Sequence, residues 1–421
     1  MKIGCIADDF TGATDIASGL VRGGLRVVQM FGTQGRLADE GSVDAVVIAL
    51  KTRSAGKEEA VRQSLAALKV LLGGGAQRIL FKYCSTFDST PEGNIGPVAD
   101  ALVEHLQCRS TIHCPAFPGY LRTQYMGHLF VGRELLSESG MRHHPLTPMT
   151  DANLVRFLQL QTPARVGLID YPVVASGPEA VRGALASLES DGIRHILVDV
   201  LDETHLATIA TAVADRPLVA GGSAIGAALV PVWRSTGLLA AETFPPPRPQ
   251  LDGATVALAG SCSAATCRQV ATFAQTHPCL HIDLLGVTDT AEIVQEAVQW
   301  ADLHRDEVPL IATTVPPERL REIQAALGQH AAAELAEHLL AEIAAALLDR
   351  GFRQFIVAGG ETSGAVASRL GISSIRIGPE ICTGVPWTAS VGAPSVALAL
   401  KSGNFGSDTF FEDAWRRLQQ C

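Results

Sequence analysis

The stretch IGCIADDFTGATDIASGLVR, residues 3–22, decides the fold. Ile3 to Ala7 is a short apolar run that ends against two aspartates. A loop containing Gly12 follows, and from Asp15 to Arg22 the apolar residues recur at helical spacing. Strands buried on both faces read as unbroken apolar runs, so the phrase predicts one β-loop-α unit of a parallel sheet. The phrase then returns along the chain. Ala45 to Leu50, Arg78 to Tyr83 and Thr111 to Cys114 predict further strands, as do Val166 to Asp170, His195 to Val200 and Pro217 to Ala220. Helical periods at Glu58 to Leu72, Pro178 to Glu189 and Glu203 to Ala214 alternate with them, which predicts right-handed crossovers and a layered α/β domain.

The alternation stops at ETFPPPRPQLDG, Glu242 to Gly253, where four of the 22 prolines rule out both helix and ladder. Strand-like runs resume at Thr255 to Ala259, Leu280 to Leu284, Val308 to Thr313, Phe355 to Ala358 and Ser395 to Leu400, with an Ala-rich helical stretch from Ala331 to Leu348. A chain of 421 residues exceeds what one core usually organises. The expected architecture is α/β: two layered domains, residues 1–241 and 254–421, with mostly parallel sheets and an active-site cleft between them.

Composition narrows the partners. Hydrophobic residues make up 47% and charged residues 18%, which excludes a disordered or coiled-coil chain. Thirty-three basic against 43 acidic residues leave a formal charge of −10, a field that repels nucleic acid and anionic membrane surfaces. Anionic ligands must then be caught by local cations or backbone amides. The nine cysteines include no CxxC pair and read as reduced, mostly buried thiols of a cytoplasmic protein. MKIGCIADDF does not resemble a signal peptide, and the apolar stretch near Leu339 to Leu348 is too short for a bilayer. The sequence leaves a homo-oligomer open.

In parallel α/β sheets, ligands bind beyond the carboxyl ends of the strands. In the N-terminal half those positions carry DDFTGATD, KTRSAG, KYCSTFDSTPEGNIG and CPAFPGYLRTQYMGH. Together they gather carboxylates at Asp8, Asp9 and Asp88 with cations at Arg53, Lys82 and Arg122. Carboxylates can hold a polyol or Mg²⁺ or serve as general base, and an arginine fork matches a substrate carboxylate. This is the inventory of a hydroxy-acid site. The plainer account makes Asp8 or Asp9 a helix cap, a task open also to Thr11, Thr14 and Asp15, but caps do not call for nearby Arg and Lys.

The C-terminal half offers GSCSAAT, GGETSGA and KSGNFG. Gly and Ser let backbone N–H groups close on an anion at a helix N-terminus, so the three loops suggest a polyphosphate cradle. Neither GxxxxGK[ST], GxGxxG nor GxSxG occurs. His304-Arg305-Asp306 lacks the other protein-kinase signatures and reads as a solvated loop before a strand. His143-His144 sits among turn residues, where loop ordering, substrate contact and plain surface are all open. Cys262 and Cys267 lack the further ligands of a zinc site, and no metal ligands are assigned.

IADDFTGATDIA, KTRS, KYCSTFDSTPEGNIGPVADAL, PAFPG, GHLFVG, MRHHPLTPMTDANL, GSCSAAT, VAGGETSGAV, GPEICTGVPW and ALALKSGNFG together resemble the four-carbon acid sugar kinases, in order and over nearly the whole chain. The likeness is greatest to the branch that acts on 3-oxo-tetronate. It implies a sugar-acid-binding N-terminal domain, a nucleotide-binding C-terminal domain and ATP-dependent phosphorylation of the substrate 4-hydroxyl. It also implies ATP contacts at Ser261, Gly360, Glu361, Thr362, Ser363 and Gly403, with Mg²⁺ on the phosphates. Arg53 and Lys82, with Asp8 and Arg122, would then bind the acid, and Asp9 or Asp88 would be the base. D-Threonate and D-erythronate are alternative substrates, and an intracellular sugar-acid sensor or a phosphohydrolase are the readings from other classes. Members of the family often read Gly-Arg-Thr after PAFP, whereas here Leu121 precedes Arg122, which puts the backbone beside Arg122 in question.

Overall fold

The computed structural model describes residues 1–34, 43–144, 146–249 and 251–419. Pro145 of the His-His segment, Gln250 of the Pro-rich segment and Cys421 lie outside the described residues. The chain divides into two compact units, Met1–Pro245 and Pro246–Cys421.

The strands of the first unit are β1 (Ile3–Ala7), β2 (Val27–Phe31), β3 (Ala45–Ala49), β4 (Arg78–Lys82), β5 (Thr111–Cys114), β6 (Arg122–Tyr125), β7 (His128–Val131), β8 (Glu134–Leu135), β9 (Arg165–Ile169), β10 (Ile193–Val198) and β11 (Leu218–Gly221). Eight of them form a parallel sheet in the order β2-β3-β1-β4-β11-β5-β10-β9. Every residue of β1 and β3 is buried, as strands covered on both faces require. The helix Phe10–Arg22 buries Ala13, Ile16, Ala17, Leu20 and Val21, one apolar face at helical spacing. It begins at Phe10 rather than Asp15, because Asp9 caps it by accepting from the Gly12 N–H. The remaining strands, β6 to β8, make a small antiparallel sheet.

β1 sits between β3 and β4, so the chain crosses it on passing from one to the other. Such a reversal opens a crevice at the carboxyl edge of the sheet.

The second unit contains β12 (Ala254–Ala259), β13 (Cys279–His281), β14 (Leu310–Ala312), β15 (Phe352–Ala358), β16 (Ser374–Cys382), β17 (Val385–Ser390) and β18 (Ala397–Lys401). The order is β13-β14-β12-β15-β18-β17-β16, with β17 antiparallel to both neighbours and the rest parallel. The β16–β17 hairpin, like β2, has no counterpart among the expected strands. The core of this unit is built from Ala257, Ile356, Ala399, Trp387 and Phe411.

The expectation of mostly buried thiols needs correction. Among the described residues only Cys5 and Cys114 are buried; Cys84, Cys108, Cys262, Cys267, Cys279 and Cys382 are partly exposed, and these eight are free. Most sit in loops or at strand ends, where a cysteine's apolar character does not by itself secure burial.

Candidate functional site

In the first unit the loops after β1, β3 and β4 are stitched together by backbone and side chain. Asp8 N–H donates to the Lys82 carbonyl at 3.0 Å, while the Asp8 carbonyl accepts from Thr52 and Arg53 N–H at 2.9 and 3.2 Å. Asn94 braces the same loop, its amide donating to the carbonyls of Thr52 at 2.7 Å and Ala55 at 2.9 Å.

This frame delivers the expected side chains to one place. Arg53 forks onto Asp8, with Nε to Oδ2 at 2.9 Å and Nη2 to Oδ1 at 2.8 Å. Nη2 also reaches Asp9 Oδ1 at 2.6 Å, and Nη1 lies 4.0 Å from Asp88 Oδ2. Thr86 fixes the other Asp88 oxygen at 2.5 Å. Lys82, buried, donates to the Tyr83 carbonyl at 2.8 Å. A Cβ at Gly12 would fall 2.3 Å from Asp9 Oδ1 and 2.7 Å from Lys82 Nζ, so the missing side chain is what lets the helix start approach both groups.

Three carboxylates face two cations here, and their environments differ. The carboxyl of Asp9 is held above its ordinary value: burial pushes it up, the Arg53 guanidinium opposes this, and the neighbouring Asp8 adds to it. About a quarter of the Asp9 side chain still reaches solvent. A carboxylate that is mostly enclosed, raised in basicity and open on one side has the properties of a general base.

Arg122 is placed differently. It opens the small sheet, donates through Nη1 to the Tyr120 carbonyl at 2.8 Å and lies over the Tyr120 ring, with Nε buried and lacking a hydrogen-bond partner. Leu121 before it has φ 57° and ψ 34°, the left-handed conformation that glycine takes without steric cost. The backbone therefore keeps a glycine-type geometry although the glycine is gone. His144 accepts at Nδ1 from the Thr147 N–H at 3.1 Å and hydroxyl at 2.8 Å, which orders its own turn.

In the second unit β12, β15 and β18 are adjacent, so their carboxyl-end loops converge. A Cβ at Gly403 would lie 2.3 Å from Ser261 Oγ and 3.0 Å from Ser263 Oγ. Ser263 and Thr266 hydroxyls donate to the Gly403 carbonyl at 2.7 and 2.8 Å, and Thr314 holds the Ser261 carbonyl at 2.9 Å. Two helices begin here: Ala264–Phe273, capped by Ser263, and Gly360–Arg369, whose first turn carries Glu361, Thr362 and Ser363. Ser363 Oγ is buried without a hydrogen-bond partner. Small residues, two helix N-termini and an unsatisfied hydroxyl together offer donors of the kind that suit an anion.

Sequence reasoning missed Asn94, Thr86, Thr266 and Lys401. For Lys401 a signal existed: a cation at the carboxyl end of the apolar run ALALK.

Two family models match the chain, one described as a sugar-binding N-terminal domain over residues 3–229 and one as a nucleotide-binding C-terminal domain over residues 256–411. The chain belongs to the four-carbon acid sugar kinase family. Among similar members of this kinase family, the 3-oxo-tetronate kinase of Cupriavidus necator is 50% identical over 419 residues, covering 99% of this chain and 97% of that one. The 3-oxo-tetronate kinase of Salmonella typhimurium is 46% identical with full coverage of both chains. A crystal structure from Salmonella typhimurium LT2, described as a tRNA synthase, superposes with a TM-score of 0.91 at 45% identity, covering 99% of each chain. One from Haemophilus influenzae gives 0.86 at 43%, covering 99% of this chain and 100% of that one. Within the described residues of this kinase-family chain, no helix is long and apolar enough to cross a membrane.

Proposed function

We propose that the protein transfers the γ-phosphoryl group of ATP to the 4-hydroxyl of 3-oxo-tetronate, with the acid bound by the first unit and the nucleotide by the second. The observation that carries this reading is the Asp8–Asp9–Arg53–Lys82–Asp88 cluster at the strand crossover. It pairs an enclosed, raised carboxylate with cations for an acid, and the other unit carries loops that suit phosphate. The relatives' shared activity supports the same assignment.

Phosphoryl transfer asks mainly for in-line positioning and charge neutralisation. Asp9, raised in basicity by burial, accepts the hydroxyl proton. Asp88, pinned by Thr86, orients the polyol. Arg53 offers the acid its Nη1 edge, since Nε and Nη2 are engaged by the aspartates, and Lys82 adds a second cation. The unpartnered Nε of Arg122 suits a further substrate oxygen. In the second unit Ser261, Gly360, Glu361, Thr362, Ser363 and Gly403 surround the phosphates.

Among the described residues no group of three or more His, Cys, Asp or Glu is placed to hold a metal ion. Mg²⁺ would accompany the nucleotide to the loops of the second unit. There it would neutralise phosphate charge.

The test follows ADP release with ATP, Mg²⁺ and a panel of 3-oxo-tetronate, D-threonate and D-erythronate. Turnover highest with 3-oxo-tetronate is expected. A preference for another acid reassigns the substrate, and no release with any acid leaves a sensor.

A further inference from the structure

Lys401 ends β18 with its side chain 1% exposed. Its ammonium uses its three hydrogens on neutral oxygens: the Gly403 carbonyl at 3.0 Å, Thr266 Oγ1 at 3.1 Å and the Ser402 carbonyl at 3.2 Å. Among the described residues no carboxylate forms an ion pair with it. The titratable group nearest in effect is Cys382 on β16, whose thiol burial pushes up to about 11 and which lies in the field of Glu380, Asp413 and Arg417. The Phe410 ring of the C-terminal helix packs 5.6 Å from Nζ. Thr266 lies in the first turn of the helix Ala264–Phe273, whose one charged residue, Arg268, pairs with Asp408.

A buried cation without an anion costs folding free energy. Nothing in this corner recovers that cost by ion pairing, although the three phosphate-type loops meet there. Three donors converge on the Gly403 carbonyl: Lys401 Nζ, Ser263 Oγ and Thr266 Oγ1. The ammonium thus ties the loop after β18 to the loop and helix after β12. In a trans peptide the N–H points opposite to the C=O, so polarising the Gly403 carbonyl strengthens the Asn404 N–H on the side away from Lys401.

We propose that Lys401 is a positioning residue: its buried charge fixes the Ser261–Thr266 and Ser402–Asn404 loops and is compensated, through those loops rather than by contact, by the polyphosphate of a bound nucleotide. The inference rests on the nucleotide reading of the second unit and goes beyond it by assigning a charge that does not touch the ligand. It has a signature that a purely structural lysine lacks. Burial lowers the Lys401 pKa to about 8 in the free protein. A polyanion nearby favours the charged form and raises that value, so nucleotide binding takes up a proton at pH values just above it. The Cys382 thiol stays neutral across the same range.

The experiment is calorimetric titration of the full-length protein with ADP and Mg²⁺ near the Lys401 value of about 8 and a unit above it, in buffers of different ionisation enthalpy, with adenosine as the uncharged control. ADP phosphates are fully ionised there and contribute no proton change. The wild type should take up a proton, and ADP affinity should fall by up to tenfold per pH unit above the Lys401 value. Lys401→Gln should bind ADP on the order of tenfold more weakly at neutral pH, without proton uptake and with unchanged adenosine affinity. ADP binding by the wild type without proton uptake overturns the inference and leaves the nucleotide reading standing. Failure to bind ADP at all overturns both. Should Lys401→Gln not fold, the wild-type proton uptake decides alone.

Discussion

The guanidinium of Arg53 holds Asp8 by two parallel bonds, Nε to Oδ2 at 2.9 Å and Nη2 to Oδ1 at 2.8 Å, across 45 positions of sequence. The Asp8 side chain is only 7% exposed, so this fork is its main electrostatic compensation. Arg53 is therefore a strut of the Asp8–Asp9–Asp88 cluster before any ligand arrives.

Arg53→Ala should cost about 3 kcal/mol of stability, because it strands an enclosed carboxylate, and should raise the KM for the acid more than tenfold with little change for ATP. Arg53→Lys keeps the charge but loses the planar fork, and should recover only part of either loss. Thermal unfolding and two-substrate kinetics check both. Equal effects on the two KM values would contradict the assignment of Arg53 to the acid.

Asp9→Asn separates stability from activity. Because the folded pKa of Asp9 is raised, its ionised form costs stability at neutral pH. The stabilisation it contributes is complete below the unfolded value of 3.8 and lost as pH rises through the folded value. Asparagine caps a helix as well as aspartate does. The variant should accordingly unfold no earlier than wild type at neutral pH, while kcat drops on the order of 10². Asp88→Asn should keep most of its kcat. The acid limb of the wild-type kcat/KM profile should lie above the ordinary carboxylate value of 3.8. Normal turnover in Asp9→Asn would remove it as the base.

Gly403→Ala would place a methyl group 2.3 Å from Ser261 Oγ and 3.2 Å from Ser263 Cβ. The two loops must part to admit it. Nucleotide affinity should fall at least tenfold, about 1.4 kcal/mol, and acid binding measured without nucleotide should not change. Calorimetry with each ligand separately tests this.

Leu121→Gly should stabilise the protein by about 0.5–1 kcal/mol. It removes left-handed strain of about 1–2 kcal/mol at the cost of glycine's extra freedom in the unfolded chain. Leu121 is 66% exposed, so little packing is lost with its side chain. Denaturant unfolding should show a higher midpoint with an unchanged slope.

The sequence alone determined the alternating elements, the Pro-rich break and the strand-end loops where polar residues gather, because burial on two faces or on one imposes a period that neighbours in the chain record. Asp8, Asp9, Arg53, Lys82 and Asp88 were legible as strand-end polar residues, and Ser261, Gly360 and Gly403 as parts of Gly/Ser loops. Tertiary structure alone decided their partners. That Arg53 turns to Asp8, that Asp9 both caps a helix and gains basicity, and that Lys401 lies buried beneath Gly403 all depend on strand order. β1 had to lie between β3 and β4, and β15 between β12 and β18, before those side chains could meet. The β16–β17 hairpin escaped for the same reason: its pairing is a contact between strands, and no local period reports which strand will lie alongside.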